Sequence, residues 1–154
     1  MKPFHTLLTV IALTTITGFA APAIELESTT PVAAKTNGEA WWNENCERID
    51  ADIKKMEGEI DVAFVGDSIT QSWEDPGKAA WAKHLAPRGA LNLGNSGDRT
   101  EHVLWRLAQA PITRLEPKHV VLLIGTNNLG HGTSNAAETL AGVQAVAARL
   151  VAQC

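Results

Sequence analysis

The chain has 154 residues, which is enough for one domain and hardly enough for two. Apolar residues make up 45% of the sequence and charged residues 19%, and both proportions are ordinary for a globular protein. The formal net charge is −4, so no basic field indicates a nucleic-acid or anionic-membrane partner.

The first 23 residues have the pattern of a secretory signal peptide. Lys2 supplies a positive charge, Leu7–Ile16 is a short apolar segment, and small residues suited to cleavage follow. The apolar segment is shorter than the about 20 residues that cross a membrane, so we expect no stable membrane span after its removal. The sequence therefore predicts a secreted or periplasmic protein.

Residues 24–38 have no sustained period and are predicted to form a flexible lead-in. Through Trp41–Glu57, apolar residues recur every three or four positions, which predicts one face of a helix ending at Gly58. Cys46 lies on this face, and the sequence leaves open whether it forms a disulfide with Cys154. Because no His/Cys cluster has metal-ligand spacing, no metal is expected.

The segment Asp61–Thr70 reads DVAFVGDSIT. Its apolar run Val62–Val65, closed by Gly66, is typical of a short buried strand. Asp67 and Ser68 follow at the carboxyl end of that strand, which is where parallel α/β sheets bind ligands. The alternative is that either side chain merely caps the next helix.

Helices and strands alternate through the rest of the chain. Ile69 and Trp73 indicate a short helix, and Lys78–Leu85 a second one. Ala90–Leu93 is a weak strand, whereas Val120–Ile124 is apolar throughout, as expected of a central parallel strand. The alternation predicts an α/β fold with a parallel sheet, of which three strands can be counted.

Two later helices have capping signals. Asp98 and Glu101 have capping-box spacing before an apolar stripe, and Asn135 and Glu138 have it at the start of the last helix. The buried face of that last helix is predicted to consist of Leu140, Val143, Ala147, Leu150 and Val151.

Each strand is followed by a polar loop, and the three loops are Gly66–Ser68, Asn92–Asp98 and Gly125–Asn128. In a parallel sheet they gather at one edge. Ser68 could supply a nucleophilic hydroxyl there. The main-chain N–H groups of Ser68 and Gly97, with the side-chain amide of Asn127, could donate hydrogen bonds to an oxyanion.

These loops carry a resemblance to a known family. GDSIT at Gly66–Thr70, NLGNSGD at Asn92–Asp98 and GTNN at Gly125–Asn128 are similar to blocks I, II and III of the SGNH (GDSL) hydrolases. The stretches HVLWRL and VVLLIGTNN are most similar to the platelet-activating-factor acetylhydrolase-like branch. The resemblance covers residues 39–154. It implies a flavodoxin-like three-layer α/β/α fold, here incomplete, and hydrolysis of small acyl esters without a cofactor or metal.

The resemblance also assigns roles to residues. It implies that Ser68 is the nucleophile and that Ser68, Gly97 and Asn127 bind the oxyanion. Further candidates for substrate contact are Asp67 and Asn128 in these loops, and His131 shortly after the third loop. We expect the substrate to be an ester of a carbohydrate or a lipid, with acetyl as the acyl group.

The family's last block, Asp-x-x-His, supplies the catalytic base and its orienting acid, and it does not occur in these residues. The sequence therefore looks like the N-terminal part of such a hydrolase. In a serine protease, loss of the base costs on the order of 10⁶ in kcat, so we expect this chain to be nearly inactive as given. The alternative is a non-catalytic carbohydrate- or acyl-binding protein. A phosphate or flavin binder is disfavoured, because Asp67 would place a carboxylate beside the phosphate.

Other histidines are weaker candidates for the base. His131 is the best placed, because it follows Asn127, although a role in the loop or at the substrate rim is favoured. His84 is expected on the exterior of a helix, and His119 at the end of its strand opposite to the site. His102 is expected to be exposed or to cap a helix.

Overall fold

The computed structural model describes residues 25–32, 40–56, 58 and 60–153. The predicted signal peptide, residues 1–23, lies outside the described residues. So does Cys154, and with it the question of a disulfide to Cys46.

A parallel sheet organises the fold. Its strands are β1 (Val62–Gly66), β2 (Ala90–Gly94) and β3 (His119–Leu123), in the order β2-β1-β3. Gly66 pairs in register with Gly94 on one side and with Leu123 on the other. All three strands thus end level with one another, and the loops that follow them leave from the same edge. The predicted α/β fold with three parallel strands is confirmed.

Six helices surround the sheet in the part of the chain that the structure describes: α1 (Ala40–Lys55), α2 (Ser68–Gln71), α3 (Lys78–Ala80), α4 (Thr100–Leu107), α5 (Thr126–Gly130) and α6 (Ala136–Val151). Further helical turns lie at Glu27–Thr29, Ser72–Glu74, Trp81–Leu85, Ala86–Arg88 and Ile112–Arg114.

Helices pack on both faces of the sheet. On one face, the side chains of α1, α4 and α6 form a single buried cluster with the strands, whose centre includes Ile49, Val65, Val103 and Val146. On the other face, the ring of Phe64 lies 5.1 Å from that of Trp81, and the Asn92 amide donates to the main-chain oxygen of Thr70. The result is the helix–sheet–helix layering that a parallel sheet requires.

The predicted central position of β3 is not observed among the described residues. Among the described residues β3 pairs with β1 alone, so β1 is the central strand and β3 lies at an edge. Val121 and Leu123, on the face without α6, are 46% and 47% exposed. The continuous apolar run is therefore only partly covered here.

Two helix details also differ from the predictions. The N-cap of α4 is Arg99, not Asp98, and the Arg99 N–H donates to Nδ1 of His102. The buried face of α6 consists of Thr139, Gly142, Val146 and Leu150. Of the residues predicted for that face, Leu140 and Val151 are instead 57% and 79% exposed. The reason is that α6 turns its small residue Gly142 toward α4, where an added Cβ would overlap the Thr100 side chain.

Residues 25–32, within the predicted flexible lead-in, are packed against the domain. Ser28 is 1% exposed and donates to the main-chain oxygen of Glu138 at 2.7 Å, while its own carbonyl accepts from the Thr100 hydroxyl at 2.8 Å. Polar side chains bonded across elements make this contact, which apolar periodicity does not reveal. Over the described ranges, no helix is both long and apolar enough to cross a membrane.

Candidate active site

Ser68 is the first residue of α2, immediately beyond the end of β1. Its side chain is half-buried and lines an open cavity of about 320 Å³ together with Gln71, Asp75 and Ser96. Within the described part of the chain, no hydrogen bond is made to the Ser68 hydroxyl. The hydroxyl is therefore placed at the sheet edge where the sequence predicts the nucleophile.

Asp67 caps α2 and does not face solvent. Its Oδ1 accepts from the Ile69 N–H at 2.9 Å, its Oδ2 has no hydrogen-bond partner, and the residue is 1% exposed. Burial raises the pKa of this carboxyl, against the hydrogen bond from Ile69, which lowers it. The capping alternative is confirmed for Asp67, and its side chain is not open to a substrate in this structure.

The loop after β2 lies over the end of β1. Asn95 N–H donates to the Gly66 carbonyl at 3.1 Å, and Ser96 N–H donates to Oε1 of Gln71 at 2.7 Å. Gly97 follows with φ +76°, a left-handed conformation that glycine adopts without the strain of a Cβ. The loop is thus held against both β1 and α2 before it reaches Gly97.

Asp98 anchors the end of this loop in the interior. Its carboxylate accepts from Nε1 of Trp42 at 2.8 Å and from Nε of Arg106 at 2.8 Å, and Nη2 of Arg106 lies 2.6 Å from Oδ2. Burial raises the pKa of the Asp98 carboxyl, against the Arg106 charge, which lowers it. Asp98 is therefore a buried structural acid, not an exposed helix cap.

The loop after β3 is bonded to the loop after β2. Nδ2 of Asn127, a half-buried residue, donates to the main-chain oxygen of Asp98 at 2.8 Å. An amide nitrogen carries two hydrogens, so this bond orients the group and leaves a second donor. The structure thereby brings Asn127 next to the residue that follows Gly97.

Asn128 is fully buried and serves the packing of α5 on α4. Its Oδ1 accepts from Thr100 N–H at 3.0 Å, and its Nδ2 donates to the Thr100 hydroxyl and to Oε2 of Glu101, each at 3.1 Å. Both polar groups of the side chain are used in this way. Asn128 is not open to a substrate in this structure, whereas His131, at the end of α5, is exposed.

The remaining histidines lie away from Ser68. His84 is exposed on the turn after α3, as predicted, and His119 begins β3 at the end opposite to the site. His102 is buried, and its ring accepts from Arg99, so the expected capping role is confirmed and the expected exposure is not. No hydrogen bond joins His84, His119 or His131 to Ser68.

Sequence reasoning missed three residues that hold the site together, namely Trp42, Gln71 and Arg106. The position of Arg106 could have indicated that it is buried, because it lies three residues after Val103 on the buried stripe of α4. A cation at a buried position requires a buried partner. The other two had no signal, since they contact residues 56 and 25 positions away. No group of three His, Cys, Asp or Glu side chains in the described ranges is arranged to hold a metal ion.

Comparison with known proteins identifies this arrangement. A model of the GDSL-like lipase/acylhydrolase family matches residues 64–154, more than half of the chain and all three loops of the site. The chain belongs to this family. The predicted resemblance to ester hydrolases of the GDSL type is therefore confirmed.

Curated relatives agree with the predicted branch of this GDSL family. The chain is 38% identical to the platelet-activating factor acetylhydrolase IB subunit alpha1 of Bos taurus and of Homo sapiens over 117 residues. The 117 aligned residues are 76% of the chain and 47% of the length of each relative. It is 36% identical to the subunit beta homolog of Drosophila melanogaster over 115 residues, 74% of the chain and 49% of that relative. The chain thus spans about half the length of the curated relatives it matches.

The predicted secreted or periplasmic location is wrong. The relatives that overturn it are subunits of platelet-activating factor acetylhydrolase IB, which are not secreted or periplasmic proteins. The N-terminal pattern of a positive charge and a short apolar segment is thus insufficient evidence of export.

Proposed function

We propose that this chain carries the nucleophile and the oxyanion-binding groups of a serine esterase that forms an acyl-enzyme. Ser68 Oγ would attack the ester carbonyl carbon and lose its proton to a base from solution, which later returns it to the leaving alcohol, and the carbonyl oxygen would take up the negative charge. The N–H groups of Ser68 and Gly97 and Nδ2 of Asn127 would bind that oxygen. Collapse would expel the alcohol with a proton, and water would then release the acid from Ser68. The hydrogen bond between Asn127 and the Asp98 carbonyl supports this proposal most directly.

The cavity beside Ser68 favours a small acyl group on a polar alcohol. Most residues of its wall have polar side chains, among them Gln71, Ser72, Asp75 and Ser96. Hydroxyl, amide and carboxylate groups suit a carbohydrate better than a lipid chain, because an alkyl chain would gain little from leaving water there. The relatives are named acetylhydrolases, which supports acetyl as the acyl group. We therefore propose an O-acetyl ester of a polyhydroxylated alcohol, with lipid esters second.

A base for Ser68 is not evident in this sequence. No Asp-x-x-His motif occurs in the 154 residues, and the exposed histidines make no bond to Ser68. In a serine protease that has lost its base, the oxyanion hole and substrate binding alone still accelerate the reaction about 10³–10⁴-fold over the reaction in water. We therefore expect this chain alone to hydrolyse esters only slowly.

The proposal is tested by acylation of Ser68. The chain and Ser68→Ala are incubated with p-nitrophenyl acetate, with and without imidazole as an added base, and the release of p-nitrophenol and the intact mass are followed. We expect slow release that imidazole accelerates more for the parent than for Ser68→Ala, together with an acetyl adduct on Ser68. Equal rates in both proteins, with no adduct on Ser68, would exclude the proposed nucleophile.

A second candidate is a non-catalytic protein that binds an acylated carbohydrate in the same cavity, because the hydroxyl and amide groups of its wall suit such a ligand. The two functions separate by calorimetry with acetylated oligosaccharides. Binding of the intact ester by both the parent and Ser68→Ala, with no acetate released even when imidazole is added, would favour the binding protein.

A further inference from the structure

We infer that the buried pair Asp98–Arg106 is a positioning pair, which aims the Gly97 N–H and the Asn127 amide at the oxygen of the bound ester. The inference rests on the proposed function. It assigns a role to two charged residues that do not touch the cavity beside Ser68.

The pair is buried and is fixed from two helices. Asp98 is 0% and Arg106 3% exposed, and two guanidinium nitrogens of Arg106 lie 2.6 Å and 2.8 Å from the same carboxylate oxygen, Oδ2. Arg106 is on α4, and Trp42, which donates to Oδ1, is on α1. A carboxylate bonded on both oxygens from two packed helices has little freedom to rotate or shift.

The position of this carboxylate sets the main chain on both sides of it. On the N-terminal side is Gly97, which has a left-handed φ of +76° and no side chain of its own to fix its position. On the C-terminal side is the Asp98 carbonyl, which accepts the hydrogen bond from Asn127. Two of the three proposed oxyanion donors therefore depend on where Asp98 lies.

A charged pair suits this task because displacing it is unfavourable. If the Asp98 carboxylate moved away, the Arg106 guanidinium would be left as an unpaired charge in the interior. A neutral hydrogen bond would hold the loop less strongly. Donors that are already in place when charge develops need no rearrangement during the reaction, and this is the source of their catalytic effect.

The test combines a spectroscopic and a chemical measurement on the full chain. Asp98→Asn keeps the shape of the side chain and removes its charge, and Asp98→Asn with Arg106→Gln removes both charges. Trp42→Phe removes one donor and keeps the pair, so it serves if the charge variants do not fold. Leu150→Ala, a core variant on α6, controls for a general loss of stability. Amide ¹H–¹⁵N spectra report the Gly97 N–H and the Asn127 side-chain NH₂.

We expect Asp98→Asn, or Trp42→Phe to a smaller degree, to shift the Gly97 and Asn127 resonances more than Leu150→Ala does. We expect Asp98→Asn to slow acetylation of Ser68 about tenfold or more, since losing one oxyanion donor outright costs about 10²–10³. The double variant should recover part of the rate. Gly97 and Asn127 resonances that move no further than in Leu150→Ala would overturn the inference, even if Ser68 is acetylated. Failure of the parent to be acetylated would count against the proposed function alone, because the spectra test the pair independently.

Discussion

Asn127 and Asp98 come from loops that follow different strands, and the side-chain amide of Asn127 donates to the Asp98 main-chain oxygen at 2.8 Å. This hydrogen bond joins the β3 loop to the β2 loop beside Gly97. Its removal by Asn127→Ala leaves a partly buried carbonyl unpaired, so we expect the free energy of unfolding to fall by about 1 kcal/mol.

The same position allows a sharper comparison. Asn127→Asp places a carboxylate oxygen where the amide nitrogen donated, and two acceptors then face each other. We expect Asn127→Asp to be less stable than Asn127→Ala at neutral pH in urea unfolding. His131→Ala, at an exposed neighbouring site, is the control and should be nearly neutral. An Asp variant as stable as the parent would contradict the assigned direction of this hydrogen bond.

Gly94 ends β2 directly beneath α2. A Cβ at this position would overlap the main-chain nitrogen of Gln71, which is backbone and cannot turn aside. We expect Gly94→Ala to lower the free energy of unfolding by about 1–3 kcal/mol, as overpacking does. Gly130→Ala is the matched control, since nothing lies within 4 Å of an added Cβ there. Both variants are compared by thermal or urea unfolding. If Gly130→Ala is the less stable of the two, α2 does not approach Gly94 as closely as the structure has it.

The burial of Asp67 should make the free energy of unfolding depend on pH. Burial raises its folded pKa above the unfolded value, so the folded chain holds the proton more tightly than the unfolded chain. The free energy of unfolding therefore falls as pH rises through the interval between the two pKa values, and the loss persists above it. Asn at this position keeps the acceptor for the Ile69 N–H and has no proton to lose. We expect the stability of Asp67→Asn, measured relative to the parent, to be higher at about pH 7 than at about pH 3.5. A relative stability that is equal or lower at the higher pH would refute this prediction.

Cys46 should be a slow nucleophile. Burial raises the pKa of its thiol to about 11, with the nearby Arg106 charge acting in the opposite direction. At about pH 8, roughly one in a thousand Cys46 side chains is then ionised to the thiolate, whereas about one quarter of a free cysteine is ionised. The greater basicity of the thiolate recovers roughly tenfold, so alkylation should be on the order of twentyfold slower than for a free thiol.

The measurement is the iodoacetamide rate in a Cys154→Ser background, so that only Cys46 reacts. The rate should keep rising about tenfold per pH unit up to about pH 10. A plateau near the pKa of an ordinary thiol would show that the Cys46 side chain is not buried as the structure has it.

Local patterns were sufficient for most of the elements. A short apolar run closed by glycine gave β1, the spacing of Asn135 and Glu138 gave the start of α6, and α1 followed from its apolar period. These features depend on residues close in sequence, and the hydrogen bonds of the Asn135 cap confirm one of them directly. The loops of the site could be placed at one edge because parallel strands end together.

The errors arose where partners are distant in sequence. The run in β3 is as apolar as a central strand, but strand order depends on pairing and not on composition. Asp98 has the spacing of a cap, yet Trp42 and Arg106 take its carboxylate into the interior. Apolar residues alone predicted the face of α6, whereas the small residue Gly142 determines which side meets α4. For Ser28, the contacts with Glu138 and Thr100 span 110 and 72 positions.

The two borders of the sheet are unequal. Each outer strand pairs with β1 alone among the described residues, but every residue of β2 is buried, whereas β3 alternates between exposed and half-buried positions. Main-chain groups along that side must be solvated or must meet another extended chain. Of the two sheet edges, the one at β3 is therefore the more accessible to a further extended chain.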